Sequence, residues 1–125
     1  MATKILLSLG EVKLEAELND SETAKAIEKA LPLEISLSRW GDEYYGSCAV
    51  AVEQFEDTRE LMEIGELAYW PPGKAFCIFF GPTPASNDNR PRAASAVNPI
   101  GNLKGDVASL KELGPNIQVR IELVS

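Results

Sequence analysis

The chemistry-bearing residues of this chain are aromatic rings and arginines. Trp40, Tyr44, Tyr45, Tyr69, Trp70, Phe76 and Phe80 are seven of its nine aromatic residues. Rings that flank turns, such as Trp40 and Trp70, suit the rim of a binding groove, where an apolar body meets a polar edge. Trp40, Tyr44, Tyr69, Trp70 and Phe76 are therefore candidate ligand-lining residues, although core packing is the alternative role for Phe76, Ile78 and Phe80. Arg90 and Arg92 are candidates for gripping a carboxylate or polarising a carbonyl, because a guanidinium donates paired hydrogen bonds from a planar fork. They belong to a basic island: from Leu67 to Gly105 Lys74, Arg90, Arg92 and Lys104 face Asp88 alone, whereas from Asp42 to Glu66 eight acids face only Arg59. The alternative is that the two arginines pair with that acidic neighbour.

Other chemistries are missing. The chain has no histidine, which removes serine and cysteine triads, helical zinc motifs and the usual general base. No metal site and no cofactor are expected. Gly73-Lys74-Ala75 lacks the hydroxyl residue and the upstream glycine of a phosphate loop. The carboxylate pairs Asp42-Glu43 and Glu56-Asp57 read as solvated turns with no ion-binding loop spacing. Cys48 and Cys77 lie far apart in apolar segments and read as buried reduced thiols.

The elements that position these residues read as strands. With 125 residues, 45% hydrophobic and 25% charged, the chain has the size and composition of one domain, 1–125, with a real core. A net charge of −7 argues against nucleic acid as a partner, and no apolar run reaches membrane-spanning length. Lys4 before Ile5-Leu6-Leu7 is too short a signal for export, so a cytoplasmic location is expected.

Gly65–Pro84 is the organising stretch: a strand, a Pro71-Pro72-Gly73 turn, then an unbroken apolar strand at Ala75–Phe80 that must be central. Ahead of it, Lys4–Leu9 and Val12–Leu18 form a hairpin about Gly10-Glu11, with period-two alternation in its second strand. Asn19 or Ser21 caps a short helix that Pro32 ends. Leu33–Leu37 alternates as a third strand, Trp40–Glu43 is a turn, and Tyr44–Val52 a longer strand. Glu53–Ile64 reads as loop or a helical turn. Beyond the central stretch, Ala85–Ala96 is a polar loop long enough to be functional or mobile. Val97–Leu103 is a short strand, Asp106 caps a helical turn over Val107–Leu113, and Ile117–Leu123 alternates to the end. Seven or eight short strands with two short helices predict a mainly β fold, a closed or nearly closed antiparallel barrel.

Several segments resemble a known family. Gly10–Leu18 with the following helix, Phe76–Phe80, and Asn102–Asp106 with its helical turn and last strand look like cyclophilins. Trp40-Gly41-Asp42-Glu43-Tyr44, Tyr69–Gly73, Gly81-Pro82-Thr83-Pro84 and Asn98-Pro99-Ile100-Gly101 resemble the small prokaryotic cyclophilin-like proteins of unassigned function over nearly the whole chain. The resemblance implies a cyclophilin-like barrel of about eight strands whose ends are capped by two short helices. Cyclophilins carry a Phe-His-Arg segment whose arginine polarises the prolyl carbonyl; this chain has none, and Arg39, after the third strand, is the arginine in that region. Arg39 and Arg90 are thus the catalytic candidates of a non-standard prolyl isomerase. The leading expectation is a barrel that binds a small anion or an extended peptide at an aromatic rim. The alternatives are that isomerase, or a non-catalytic module docking a basic partner through Asp42–Glu66.

Overall fold

The computed structural model describes residues 3–124. Among these described residues there are nine strands: β1 Thr3–Leu9, β2 Val12–Leu18, β3 Leu33–Trp40, β4 Glu43–Ser47, β5 Arg59–Leu61, β6 Glu66–Trp70, β7 Ala75–Phe79, β8 Arg92–Leu103 and β9 Asn116–Leu123. Eight of them form a ring in the order β2-β1-β9-β3-β4-β7-β6-β8, and β8 returns to β2 to close it. Every pairing is antiparallel. The expected eight-stranded, barrel-like ring is the observed architecture, with β5 appended outside it.

The opening hairpin turns at Gly10, whose φ of 61° lies in the left-handed region. Helix α1, Glu22–Ala30, is capped by Ser21, whose side chain accepts from the Ala24 amide at 3.1 Å. Asn19 takes the step before, accepting from the Ser21 amide and hydroxyl. Thr23, Ala24 and Ile27 are its buried face, so it plugs one end of the ring. The second expected helix is a 3-10 segment, Val107–Glu112, and Asp106 makes no side-chain cap there.

Three other boundaries differ from the sequence reading. Strand β4 stops at Ser47 and the chain then runs irregularly to Arg59. The acidic segment contains β5. The first five residues of the expected Val97–Leu103 strand's extension, 92–96, are strand and not loop.

The inner core is built from one face of each strand, including Ile5, Leu7, Leu14, Ile35, Tyr44, Tyr69, Phe76, Ile78 and Phe80. Strand β7 is apolar on both faces because both are covered. Its outward residues Ala75, Cys77 and Phe79 pack with Met62, Ala68, Ala93 and Val97 in a second core. That outer layer is a ribbon of β5 and the first half of β8. Strand β8 uses both edges at its end, pairing with β2 over 101–103 and with β6 over 98–102. Over 92–97 its strand partner among the described residues is β5 alone. Its pairs with β5 are Arg59–Val97 and Leu61–Arg92 with an irregularity between them, so 93–96 bulge and have no register partner among the described residues.

Candidate functional site

Between this ribbon and the outer face of the ring lies a cavity of about 320 Å³, lined by Trp40, Glu43, Tyr45, Trp70, Cys77, Ala93, Ala94 and Val97. The register explains the lining. Trp40 pairs with Glu43, Tyr45 with Cys77, and Cys77 with Ala68. Side chains directly across an antiparallel pair share a face, so these residues stand on the outside while Tyr44 points into the barrel. The turn occupies only Gly41-Asp42, which puts Glu43 in a strand and not in a solvated loop.

Glu43 is the chemical centre of the pocket. It is 5% exposed, and its Oε1 is buried with no hydrogen-bond partner. Burial pushes its carboxyl from the ordinary range up to about 8, with the Cys77 thiol acting in the opposite sense. At neutral pH it is mostly a neutral acid. Burial, followed by the nearby Glu43 carboxyl, holds the Cys77 thiol well above the usual range, so it is protonated and inert as a nucleophile.

Trp70 forms one wall and is fixed from two directions. Its Nε1 donates to Ser95 Oγ at 2.7 Å. A Cβ on Gly73 would sit 2.7 Å from its ring, so glycine is what lets the Pro71–Gly73 turn fold beneath the indole. Tyr45, 40% exposed, stands at the mouth.

The other candidate rings are elsewhere. Tyr44, Tyr69 and Phe76 have 0% exposure inside the barrel, so they border no groove. Tyr44 stacks on Phe80 at 5.3 Å between centroids and donates to the Gly114 carbonyl. Tyr69 pins the irregular segment after β4, donating to Val50 O and accepting from the Val52 amide.

The arginines are placed away from the pocket lining. Arg39 donates to the carbonyls of Gly41, Lys111 and Leu113 and to Asp42 Oδ1, and its guanidinium lies 5.1 Å from the Phe80 ring centre. It clamps the barrel end. Arg90 forks onto Asp88 in an exposed loop. Arg92 Nη1 lies 3.5 Å from Glu60, while its buried Nε has no hydrogen-bond partner. Pairing with the acidic segment therefore describes Arg92, through Glu60, and not Arg90, whose partner is Asp88, and neither they nor Arg39 line the pocket.

The acidic segment is also largely engaged. Glu66 takes both Nη atoms of Arg59. Glu56 accepts from the amides of Glu22 and Thr23 and from the Thr23 hydroxyl, which caps α1 and lowers its pKa. Asn98, fully buried, joins the same junction by accepting from the Glu56 amide and donating to Gln54 O and Thr23 Oγ1. Among the described residues no cluster of His, Cys, Asp or Glu could hold a metal ion, and no helix is long and apolar enough to cross a membrane.

An eight-stranded ring with a pocket on its outer face defines a β-barrel class, and sequence comparison specifies it. The family model described as cyclophilin-like matches residues 3–122, so the chain belongs to that family. A hypothetical protein from Archaeoglobus fulgidus, whose structure was determined in solution, is similar with 39% identity and a TM-score of 0.82. The match covers 98% of this chain and 95% of that one. No curated protein matches.

Proposed function

We propose that this cyclophilin-like barrel binds a ligand in the Trp40–Glu43–Tyr45–Trp70 pocket, and that an extended peptide with one inserted side group is the class it favours. The observation that carries the reading is a nearly buried carboxyl with an unpartnered oxygen at the base of an aromatic cavity. A buried polar atom without a partner costs roughly 1–3 kcal/mol, and a ligand that pairs it recovers that loss. The bulged stretch 93–96 beside the cavity, which has no register partner among the described residues, leaves main-chain groups that an extended segment can pair with. Of the ligand classes open to the sequence, a small anion is the less favoured, since no lysine or arginine lines the cavity.

The test is a titration of labelled protein with a panel of short peptides, followed by NMR at the two indole N–H signals. Ligands that fill the pocket shift Trp70 and Trp40 together with the amides of 93–96. The absence of any shift at millimolar peptide overturns the proposal. An isomerase assay on the same peptides decides whether binding is accompanied by catalysis. Background rates would leave the barrel a binder only.

A further inference from the structure

We infer that the group seated in this pocket is an organic ammonium cation, held against the Trp40, Tyr45 and Trp70 rings with its charge facing the Glu43 carboxyl. The inference rests on the reading that the pocket is a binding site, and it names the chemistry of what enters.

Three aromatic residues and one carboxyl line a single cavity. Aromatic faces carry negative electrostatic potential and attract cations, alkylated ammonium groups above all, because these are weakly hydrated and present apolar methyls. Glu43 Oε1 is a buried acceptor with no hydrogen-bond partner among the described residues, and the weakly donating Cys77 thiol is the one donor that acts on the carboxyl. An anion would meet this carboxyl with no cationic residue to offset it. An uncharged apolar group would leave the oxygen unpaired. A cation satisfies both features at once. The protein's net charge of −7 also raises the local concentration of cations over anions.

The mechanism includes a proton step. The residues that share the cavity with the Glu43 carboxyl are Tyr45 on its own strand, Cys77 on β7, Trp40 on β3, Trp70 on β6, and Ala93, Ala94 and Val97 on β8, and Phe79 on β7 lies across from it in register. Of these only Tyr45 and Cys77 titrate, and no basic side chain is among them. With the pocket empty, burial keeps Glu43 protonated near neutrality. When the cation enters, the carboxyl releases its proton to solvent and becomes its counter-charge. Binding is therefore linked to the release of one proton, and affinity rises with pH until Glu43 is already ionised.

Calorimetry with choline and with its uncharged isostere 3,3-dimethylbutan-1-ol tests this on the intact chain. Choline is expected to bind at least tenfold tighter than the alcohol. Its affinity should increase about 50-fold from pH 6 to pH 8 and level off above pH 9, for a group titrating near 8. At pH 7 close to one proton should be released, read from the heat in buffers of different ionisation enthalpy. Glu43→Gln, which copies the shape of the neutral acid, should abolish proton release and the pH slope; Trp70→Leu should weaken choline at every pH. A trimethyllysine peptide that binds more tightly than choline identifies a peptide source, and equal or weaker binding a free small molecule. Equal affinity for the alcohol, or affinity that falls as pH rises, overturns the cation while leaving the pocket a binding site. If choline, the alcohol and the trimethyllysine and unmodified peptides all fail to bind, the inference and the functional reading fall together.

Discussion

Trp70 Nε1 donates to Ser95 Oγ at 2.7 Å, and this one bond ties the end of β6 to the first half of β8 across a stretch where the two strands are not paired. It joins two lining elements of the pocket, because Trp70 lines it from β6 and Ala94, the neighbour of Ser95, lines it from β8.

Ser95→Ala should lower stability by about 1 kcal/mol, the net worth of one hydrogen bond, and free the indole. Gly73→Ala should cost more, because its methyl needs space the indole occupies. Chemical denaturation midpoints give the energies, and Trp70 fluorescence anisotropy reports the freed ring.

Glu43 makes stability fall as pH rises. Its folded pKa of about 8 lies above the ordinary 4.5, so between those values the folded state holds a proton that the unfolded chain has released. The stabilisation is complete below about pH 4.5 and is lost through pH 8, at up to ~1.4 kcal/mol per pH unit. Urea unfolding at pH 6, 7 and 8 should show this slope in the wild type, and Glu43→Gln should flatten it.

Glu56 acts with the opposite sign. Its pKa is lowered, first by the Glu22 and Thr23 amides it accepts from, so its contribution is present above the ordinary carboxylate range and declines as pH falls through its folded value. Glu56→Ala should cost about 1 kcal/mol, the typical value of a helix cap. Amide exchange should accelerate at the first turn of α1 and in 48–58, while the Trp40 and Trp70 signals stay in place.

Arg39→Ala removes donors to three carbonyls and to Asp42 at a side chain that is 23% exposed. A loss of about 2–4 kcal/mol is expected. Arg39→Lys keeps the charge but not the fork and should recover only part of it. Thermal melts check both, and because Arg39 holds the Gly41-Asp42 turn between Trp40 and Glu43, any change in ligand binding should follow the loss of that turn.

The ring was legible in the sequence because alternation marks strands with one wet face, and Val12–Leu18, Leu33–Leu37 and Ile117–Leu123 all show it. The unbroken apolar run at Ala75–Phe80 gave its central position for the same reason inverted, since neither face meets water. The pocket was much less legible. Trp40 and Trp70 stand out in the sequence as turn-flanking rings, but Tyr44, Tyr69 and Phe76 share their chemistry and face inward, a difference set by register. Glu43 escaped because an acid beside Gly41-Asp42 reads as turn. Only pairing with Phe79 on a doubly covered strand turns it inward under the ribbon. Arg39 stood out as an arginine, yet its carbonyl partners Lys111 and Leu113 are far away in the chain.

Cys77 lies at the floor of the pocket, 2% exposed and protonated. That makes it a native clock for the outer layer. An alkylating reagent needs both the thiolate and a path to the sulfur, so its rate reports how often the pocket and its ribbon admit it. A second thiol, Cys48, is partly exposed on a separate segment and supplies the internal reference for the reagent. The protein therefore carries its own paired probes of breathing, with no label to be introduced.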